Sequence, residues 1–319
     1  MKRALGLLGV DLALLAAVAL WFPQFARPSE LADILDDTAI LIILAIGQMP
    51  VLLTRGVDLS VASIVALSGM AAALADGAFP GLGVWPAIGL ATALGTALGA
   101  ANGLLVWRLG VPPIVATLGT MAVFRGLVFL VSGGEWVTSK SMSAAFLGLG
   151  RAPVFGVSAL SLVALAVVVG AAALLRFTRL GRGFFAAGGD PQAAAYAGVD
   201  VGRAQFAAFV ISGALAGLCG CFWVARFAVA YTDVALGFEL QVIAACVIGG
   251  VSIRGGSGLV TGVLLGALFL GVIKNALPLV GVSPFWQTAV SGLVIVVAVA
   301  LNSRAERTPP RRILEEAAR

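Results

Sequence analysis

The sequence contains no histidine and few charged residues. Only 11% of its 319 residues are charged and 61% are hydrophobic, whereas about a quarter of an average soluble domain is charged. The chain has too few charges to cover a water-soluble globule of its size, which disfavours a soluble α/β enzyme, a coiled coil and a disordered protein. The absence of histidine excludes Ser-His-Asp and Cys-His catalysis and every histidine-ligated metal site.

Cysteine is also scarce. The three cysteines, Cys219, Cys221 and Cys246, are too few for a disulfide framework, and an odd number leaves at least one thiol free. All three lie in apolar sequence, where cysteine behaves as a small hydrophobic residue. The sequence therefore predicts no metal site, no cofactor and no catalytic residue of its own.

Long hydrophobic runs take up most of the chain. A helix needs about 20 apolar residues to cross a bilayer, and ten segments approach that length. Lys2 and Arg3 precede the first one as in a signal peptide, but no small-residue cleavage site follows, which favours an uncleaved anchor. Segment 239–252 is short, which is typical of a broken or re-entrant helix. The predicted segments are 4–22, 38–54, 59–75, 84–107, 111–131, 154–175, 204–227, 239–252, 258–280 and 284–301.

The distribution of basic residues tests this division. With the N-terminus in the cytoplasm and ten alternating spans, fourteen of the twenty basic residues fall on the cytoplasmic side and four on the outer side, as the positive-inside rule requires. The excess of basic residues is therefore explained by the orientation of the chain in the membrane, and binding to nucleic acid is not predicted. The cytoplasmic set is Lys2, Arg3, Arg55, Arg108, Arg176, Arg179, Arg182, Arg203, Arg254, Arg304, Arg307, Arg311, Arg312 and Arg319; the outer set is Arg27, Lys140, Arg151 and Arg226.

Small residues are abundant within the predicted spans. Glycine occurs 41 times, and GxxxG pairs allow helix backbones to approach closely in lipid. The sequence thus predicts an all-α fold: a polytopic membrane bundle of about ten helices, some broken or short. It would form one transmembrane domain over 1–303, followed by a charged cytoplasmic tail over 304–319. The pairs are Gly95 and Gly99, Gly213 and Gly217, and Gly262 and Gly266.

The largest predicted cytoplasmic loop, 176–203, contains the signals of a short helix. Gly188 and Gly189 permit a sharp turn, and Asp190 is a suitable N-cap. Pro191 suits the first helical position, and Gly198 suits the closing left-handed position. Ala193, Ala194 and Ala195, which lie between Gln192 and Tyr196, are strong helix formers. A helix of about two turns is expected outside the bilayer, either as a docking element for a cytoplasmic partner or as an interfacial helix packed on the bundle.

A second motif joins the second and third predicted spans. It reads Gly56-Val-Asp58-Leu-Ser60-Val-Ala62-Ser63. Asp58 or Ser60 can cap the following helix, so a capped helix start at the membrane face is the simpler interpretation. A role in substrate passage or gating is the alternative.

A third motif is rich in glycine and follows Cys246. It has no Gly-Lys-Ser/Thr and lies between membrane spans, so it does not predict a phosphate-binding loop. A tight cytoplasmic turn between two closely packed or broken helices is expected, and broken helices at membrane depth usually line a cavity. The turn residues are Gly249, Gly250, Gly255, Gly256 and Gly258.

Polar residues inside the predicted spans are further candidates, because they are costly in lipid. They are mostly uncharged, and no dense set of acids or histidines supports a proton-relay pump. They fit a neutral, hydroxylated solute. The candidates for the pathway or for gating, including the two from the second motif, are Gln48, Asp58, Ser60, Asn102, Thr117, Arg125 and Asn275.

Three stretches together resemble one family. They read GVDLSVASIVALSGM from Gly56, GRGFFAAGGDPQAAAYAGVDV from Gly181 and VIGGVSIRGGSGLVTGVLLGALFLGVIKNAL from Val247. In this order they resemble the membrane permeases of bacterial ABC importers for monosaccharides, a group that includes ribose, xylose, arabinose, rhamnose and autoinducer-2 importers. The resemblance covers nearly the whole chain, and the stretch Asp36–Met49 looks most like the rhamnose-type members.

The resemblance implies a division of labour between subunits. Such permeases form homodimers or heterodimers in the bacterial inner membrane, with both termini cytoplasmic and the pathway between the subunits. A periplasmic binding protein delivers the sugar, and a cytoplasmic ATPase binds a coupling helix. That helix would be Asp190 to Gly198 here, with Gln192-Ala193-Ala194 matching the family's Glu-Ala-Ala. This chain differs from the family pattern at Gln192, at Ala62 and at Val251.

The expected function is therefore ATP-driven import of a monosaccharide by a subunit that is not itself an enzyme. An ion-coupled secondary transporter is the alternative; it would need its own ion site and an internal inverted repeat. A polytopic membrane enzyme would need clustered catalytic acids or histidines facing one leaflet. Neither set of features is evident in the sequence.

Overall fold

The computed structural model describes residues 2–150, 153–154 and 156–282, together with the six positions 286, 289, 292, 293, 296 and 297. The predicted tenth span, 284–301, and the predicted tail, 304–319, lie outside the continuously described residues. Arg151, one of the basic residues predicted on the outer side, lies outside them as well.

The described chain is almost entirely helical. Eight of its helices are long and apolar enough to cross a membrane, which confirms the all-α polytopic bundle. The helices are α1 (Lys2–Trp21), α2 (Pro28–Leu53), α3 (Val61–Ala78), α4 (Val84–Trp107), α5 (Pro113–Ser132), α6 (Ala144–Leu149), α7 (Ala159–Phe177), α8 (Arg179–Gly189), α9 (Pro191–Tyr196), α10 (Val201–Phe227), α11 (Phe238–Ile248) and α12 (Val260–Ala276). The eight that could span are α1, α2, α3, α4, α5, α7, α10 and α12, the last continuing into the 3₁₀ turn Leu277–Val280.

Four two-residue strands lie in the connections. β1 (Val137–Thr138) pairs antiparallel with β4 (Val229–Ala230), and β2 (Pro153–Val154) pairs antiparallel with β3 (Val157–Ser158). Short 3₁₀ turns occupy Pro23–Ala26, Pro80–Leu82 and Ser139–Ser141. The first pair fastens the connection after α5 to the connection after α10.

Two helices differ in length from the hydrophobic runs that predict them. α2 begins at Pro28, ten residues before the run at 38, because Pro28 and Glu30 suit a first helical turn. The short segment 239–252 corresponds to α11, which begins one residue earlier and has only 11 residues. Such a helix is about 16 Å long at 1.5 Å per residue, or about half of a bilayer core.

Glycines set the closest helix contacts, and α10 lies at the centre of them. A Cβ atom added to Gly95 of α4 would lie 2.6 Å from the Cα atom of Gly217 in α10, and one added to Gly99 would lie 2.9 Å from the Cα atom of Gly213. The same kind of contact joins α3 to α10 through Gly69 and α12 to α11 through Gly266. The backbones therefore touch directly at these crossings, as the GxxxG pairs predict.

The bundle has two ends, which contacts between distant segments define. At one end, called the Arg55 end, the α2–α3 connection meets the end of α8 and the α11–α12 connection. At the other, called the Asp76 end, the Asp76 carboxylate accepts hydrogen bonds from the backbone N–H (2.6 Å) and the hydroxyl of Ser143 (2.8 Å). The charge pattern of the sequence predicts that the Arg55 end is cytoplasmic.

Candidate functional site at the Arg55 end

The segment between α7 and α10 forms two short helices separated by one residue. The Asp190 carboxylate accepts hydrogen bonds from the backbone N–H groups of Gln192 (3.0 Å) and Ala193 (3.1 Å) and thereby caps α9. Pro191 occupies the first helical position. Gly198 ends the segment at φ 81°, and the N–H of Val199 donates to the carbonyl of Ala194 at 2.9 Å.

The expected sharp turn at Gly188 and Gly189 is not present. Both residues belong to the last turn of α8, and the chain changes direction at Asp190 instead. The missing side chain of Gly188 serves packing: a Cβ atom there would overlap the carbonyl of Leu53 and would lie 2.7 Å from the backbone nitrogen of Gly256, whereas a Cβ atom on Gly189 would meet nothing within 4 Å.

One face of α9 is open to solvent. Ala194 faces the bundle and is buried, whereas Gln192, Ala193, Ala195 and Tyr196 are exposed. The Tyr196 side chain is 93% exposed, although an aromatic ring contributes most when it is covered. α9 is therefore a short capped helix that presents an aromatic ring to water.

A buried polar cluster lies beside this end, around the start of α3. The Asp58 carboxylate accepts hydrogen bonds from the backbone N–H (2.9 Å) and the hydroxyl (2.6 Å) of Ser60, and from the hydroxyl of Ser212 (3.0 Å). The Ser60 hydroxyl in turn accepts from Nδ2 of Asn102 at 2.7 Å. The cluster therefore joins α4 and α10 to the start of α3.

Two further side chains hold the same connection. The Thr117 hydroxyl of α5 lies within hydrogen-bonding distance of the carbonyl of Val57 (3.1 Å) and of the carbonyl of Pro113 in its own helix (2.9 Å), and Nε2 of Gln205 in α10 donates to the carbonyl of Thr54 at 3.2 Å. Sequence reasoning identified Thr117 but missed Gln205 and Ser212. Only their polarity within a predicted span could have singled them out, because their partners lie more than 150 positions away.

The Asp58 cluster carries opposing electrostatic effects. Burial raises the pKa of the Asp58 carboxyl, and the hydrogen bonds from Ser60 and Ser212 act in the opposite direction without cancelling the rise. A raised pKa means that the protein environment disfavours the charged form. A neutral side chain of the same shape should therefore be tolerated here.

We expect Asp58→Asn to change the free energy of unfolding by less than about 1 kcal/mol, because its amide oxygen retains both bonds from Ser60 and the Ser212 hydroxyl can rotate to accept. Asp58→Ala should lose about 3 kcal/mol, since it leaves these buried groups unpaired. Thermal unfolding of the purified proteins in one detergent measures both changes. Equal losses in the two variants would contradict this assignment of bonds.

The remaining pathway candidates lie apart from the Asp58 cluster. Arg125 lies toward the Asp76 end of α5, where its Nη1 donates to the carbonyls of Thr232 (2.7 Å) and Val234 (2.8 Å). Asn275 donates to the carbonyl of Gly271 within its own helix. Gln48 is fully buried in α2, and neither polar atom of its side chain has a hydrogen-bond partner among the described residues.

The glycine-rich motif forms the connection between α11 and α12. Gly249 follows the last residue of α11, and Gly250, Gly255 and Gly256 have φ values of 84°, 83° and 72°. The backbone N–H of Ser252 donates to the carbonyl of Ser257 at 2.9 Å and closes this loop. Gly258 lies against Val251 and Met49, next to the end of α2.

Comparison with known proteins identifies the family of this chain. The family model described as "branched-chain amino acid transport system / permease component" matches residues 31–299. The chain belongs to this permease family. Within the described residues, no group of three or more histidine, cysteine, aspartate or glutamate side chains could hold a metal ion.

Individual relatives share about a third of their residues with this permease. It is 36% identical to the ribose import permease protein RbsC of Escherichia coli K12, over 92% of each chain. It is also 36% identical to RbsC of Bacillus subtilis, over 91% of this chain and 90% of the relative. Identity to the autoinducer 2 import system permease protein LsrC of Enterobacter sp. strain 638 is 36%, over 94% of this chain and 86% of the relative. No solved structure matches the chain significantly.

Proposed function

We propose that this permease moves a monosaccharide inward as the membrane subunit of an ATP-driven importer. The proposed solute is a rhamnose-like sugar or another pentose or hexose. The family is described by its transport of branched-chain amino acids. The relatives named above are instead import permeases for ribose and for autoinducer 2, which supports a sugar as the solute. Gln48, a neutral polar side chain inside α2 whose polar atoms have no hydrogen-bond partner among the described residues, suits a hydroxylated solute rather than an ion.

The single observation that carries this proposal is the open face of α9. α9 is capped by Asp190 and holds only Ala194 against the bundle, and it offers Tyr196 at 93% exposure. The chain has no phosphate-binding motif, so an ATP-driven cycle needs a partner that binds the nucleotide. We infer that α9 is the coupling helix, that an ATPase subunit covers it, and that the Arg55 end is therefore cytoplasmic.

The proposed mechanism is a two-state equilibrium of the bundle that partners bias. ATP closes the nucleotide-binding modules of the partner, the docked helix α9 moves, and the bundle changes from inward-facing to outward-facing. A periplasmic binding protein then releases sugar at the Asp76 end. A second permease copy or a sister permease completes the pathway, and lipid surrounds the dimer.

Co-purification in mild detergent tests the docking step. We expect an ATP-hydrolysing subunit to be recovered with the wild-type permease and to be largely lost with Tyr196→Ser. Replacing an exposed ring should not unfold the chain, and an aromatic anchor is typically worth at least about 2 kcal/mol at an interface. Leu109→Ser is the matched control, because Leu109 is 71% exposed in the α4–α5 connection at the same end.

The same preparation tests two further parts of the proposal, the composition of the dimer and the class of solute. A second permease in the same preparation would indicate a heterodimer. Uptake of labelled rhamnose, ribose, autoinducer 2 and leucine by the reconstituted complex identifies the solute class, and uptake of leucine alone would contradict a sugar. If no ATPase is recovered under conditions that preserve other importers, the proposal fails in favour of an ion-coupled carrier.

A further inference from the structure

Arg55 makes an unusual contact at the end of α2. Its Nε donates to the carbonyl of Gly188 at 2.8 Å, and its Nη2 donates to the carbonyl of Gly189 at 2.9 Å. A fork of two parallel donors is the geometry that arginine provides and lysine does not. Gly189 is the last residue of α8, and only Asp190 separates it from α9.

The backbone of Arg55 lies in a region that few side chains adopt. Arg55 has φ 64°, in the left-handed region that glycine or asparagine occupies more readily. Glycine would therefore suit the turn itself, and what the arginine adds at this position is its two hydrogen bonds.

Glycines bring a third segment to the same point. The N–H of Gly256, in the α11–α12 connection, donates to the carbonyl of Leu53 at 2.9 Å. A Cβ atom on Gly255 would lie 2.6 Å from Cγ of Arg55, and one on Gly256 would lie 2.5 Å from the Cα atom of Gly189. We call this contact of Leu53–Arg55, Gly188–Gly189 and Gly255–Gly256 the three-segment junction.

The three-segment junction has a mechanical consequence. Apart from Arg55 it is formed by backbone, since a Cβ atom on Gly188 would overlap the carbonyl of Leu53 and one on Gly256 would lie 2.5 Å from the Cα atom of Gly189. Steric contact of this kind transmits a displacement of the end of α8 toward α2, whereas the two hydrogen bonds of Arg55 hold α8 to α2 when it is displaced away. α2 runs from the junction to the opposite end of the bundle, where Asp37 pairs with Arg226.

We propose that Arg55 is a positioning residue that transmits movement of α9 to α2 through the carbonyls of Gly188 and Gly189. This inference rests on the proposed function, in which an ATPase moves α9. The competing interpretation is that Arg55 only caps the carboxyl end of α8. Such a cap would stabilise α8, but the far end of α2 could still move without it when the partner binds ATP.

A fluorescent label at the far end of α2 separates the two interpretations. Leu35 is 47% exposed near the Asp76 end of α2, and all three native cysteines are buried, so a bimane group can be attached selectively to Leu35→Cys. The complex with its ATPase is reconstituted in liposomes, and bimane fluorescence is recorded before and after ATP with vanadate. No transported sugar is needed for this readout.

We expect Arg55→Gly to reduce the change in bimane fluorescence that ATP with vanadate causes at position 35 by about fivefold or more. This is a typical size for coupling between two sites. ATP hydrolysis should stay within about twofold of wild type, because the partner still binds α9. Arg55→Lys, which cannot hold both carbonyls in a fork, should give an intermediate response. Arg179→Gln removes the same charge at the other end of α8 and should respond like wild type.

Specific outcomes would overturn the proposal. An unchanged fluorescence response in Arg55→Gly, with hydrolysis intact, would show that α2 moves without Arg55. Loss of the ATPase from Arg55→Gly but not from Arg179→Gln would show that Arg55 serves docking alone. If the wild-type permease binds no ATPase, the proposed function fails as well, so the two failures are distinguishable. Should Arg55→Gly not fold, Arg55→Lys carries the same comparison.

Discussion

Proline at position 194 is expected to abolish transport while leaving the permease in the membrane. The backbone N–H of Ala194 donates to the carbonyl of Asp190 at 2.9 Å, which is the first hydrogen bond inside α9. α9 has only six residues, so no second turn can compensate. Proline inside a helix costs about 3 kcal/mol, and each 1.4 kcal/mol is tenfold in an equilibrium. The docking-competent helix should therefore become about a hundredfold rarer.

Uptake by the reconstituted complex measures this loss, and membrane fractionation measures insertion. Ala195→Ser is the control, since it changes an exposed neighbour and preserves the backbone bonds of α9. The spans themselves do not depend on this helix, so Ala194→Pro should appear in the membrane at the level of the control. Normal uptake by the proline variant would rule out α9 as a coupling element.

Alanine at position 95 is expected to lower the stability of the permease strongly. The added methyl group would meet the backbone of α10, at 2.6 Å from the Cα atom of Gly217 and 2.7 Å from its nitrogen. Backbone cannot rotate out of the way as a side chain can, so α4 and α10 would have to separate. Overpacking of a tight interior typically costs about 1–3 kcal/mol, and we place Gly95→Ala at the upper limit. Thermal unfolding in detergent checks this value.

The same helix offers a matched control. Gly89 also lies inside α4, but nothing would touch a Cβ atom placed on it, and it is exposed. Gly89→Ala should leave stability unchanged or raise it by up to about 1 kcal/mol, because alanine is the better helix former. If the two alanine variants unfold at the same temperature, the close contact between α4 and α10 does not contribute to stability.

Local signals allowed much of this fold to be predicted. The hydrophobic runs predict the spans, and capping chemistry at Asp190, Pro191 and Gly198 predicts α9. These features depend on neighbours within a few residues. The GxxxG pairs also indicate which faces are small, although they do not indicate which helices meet.

Contacts between distant segments could not be predicted. Ser212 and Gln205 bind the α2–α3 connection, and Gly188 serves a contact with Leu53 rather than a turn. Nothing near these residues in the sequence reveals their partners. The start of α2 was also missed, since hydropathy reports the part of a helix that lies in lipid and not the charged turns beyond it.

The glycine contacts finally constrain how this permease can change shape. Where backbones touch directly, two helices have no side chains to repack and must move as a rigid body. Gly69, Gly95 and Gly213 join α3, α4 and α10 into one such body, and Gly249 and Gly266 join α11 and α12 into another. α2 contacts both bodies. We expect a switch between two states to slide or tilt the first body along α2, because the hydrogen bond from Gly256 to Leu53 already fixes the α11–α12 connection to that helix.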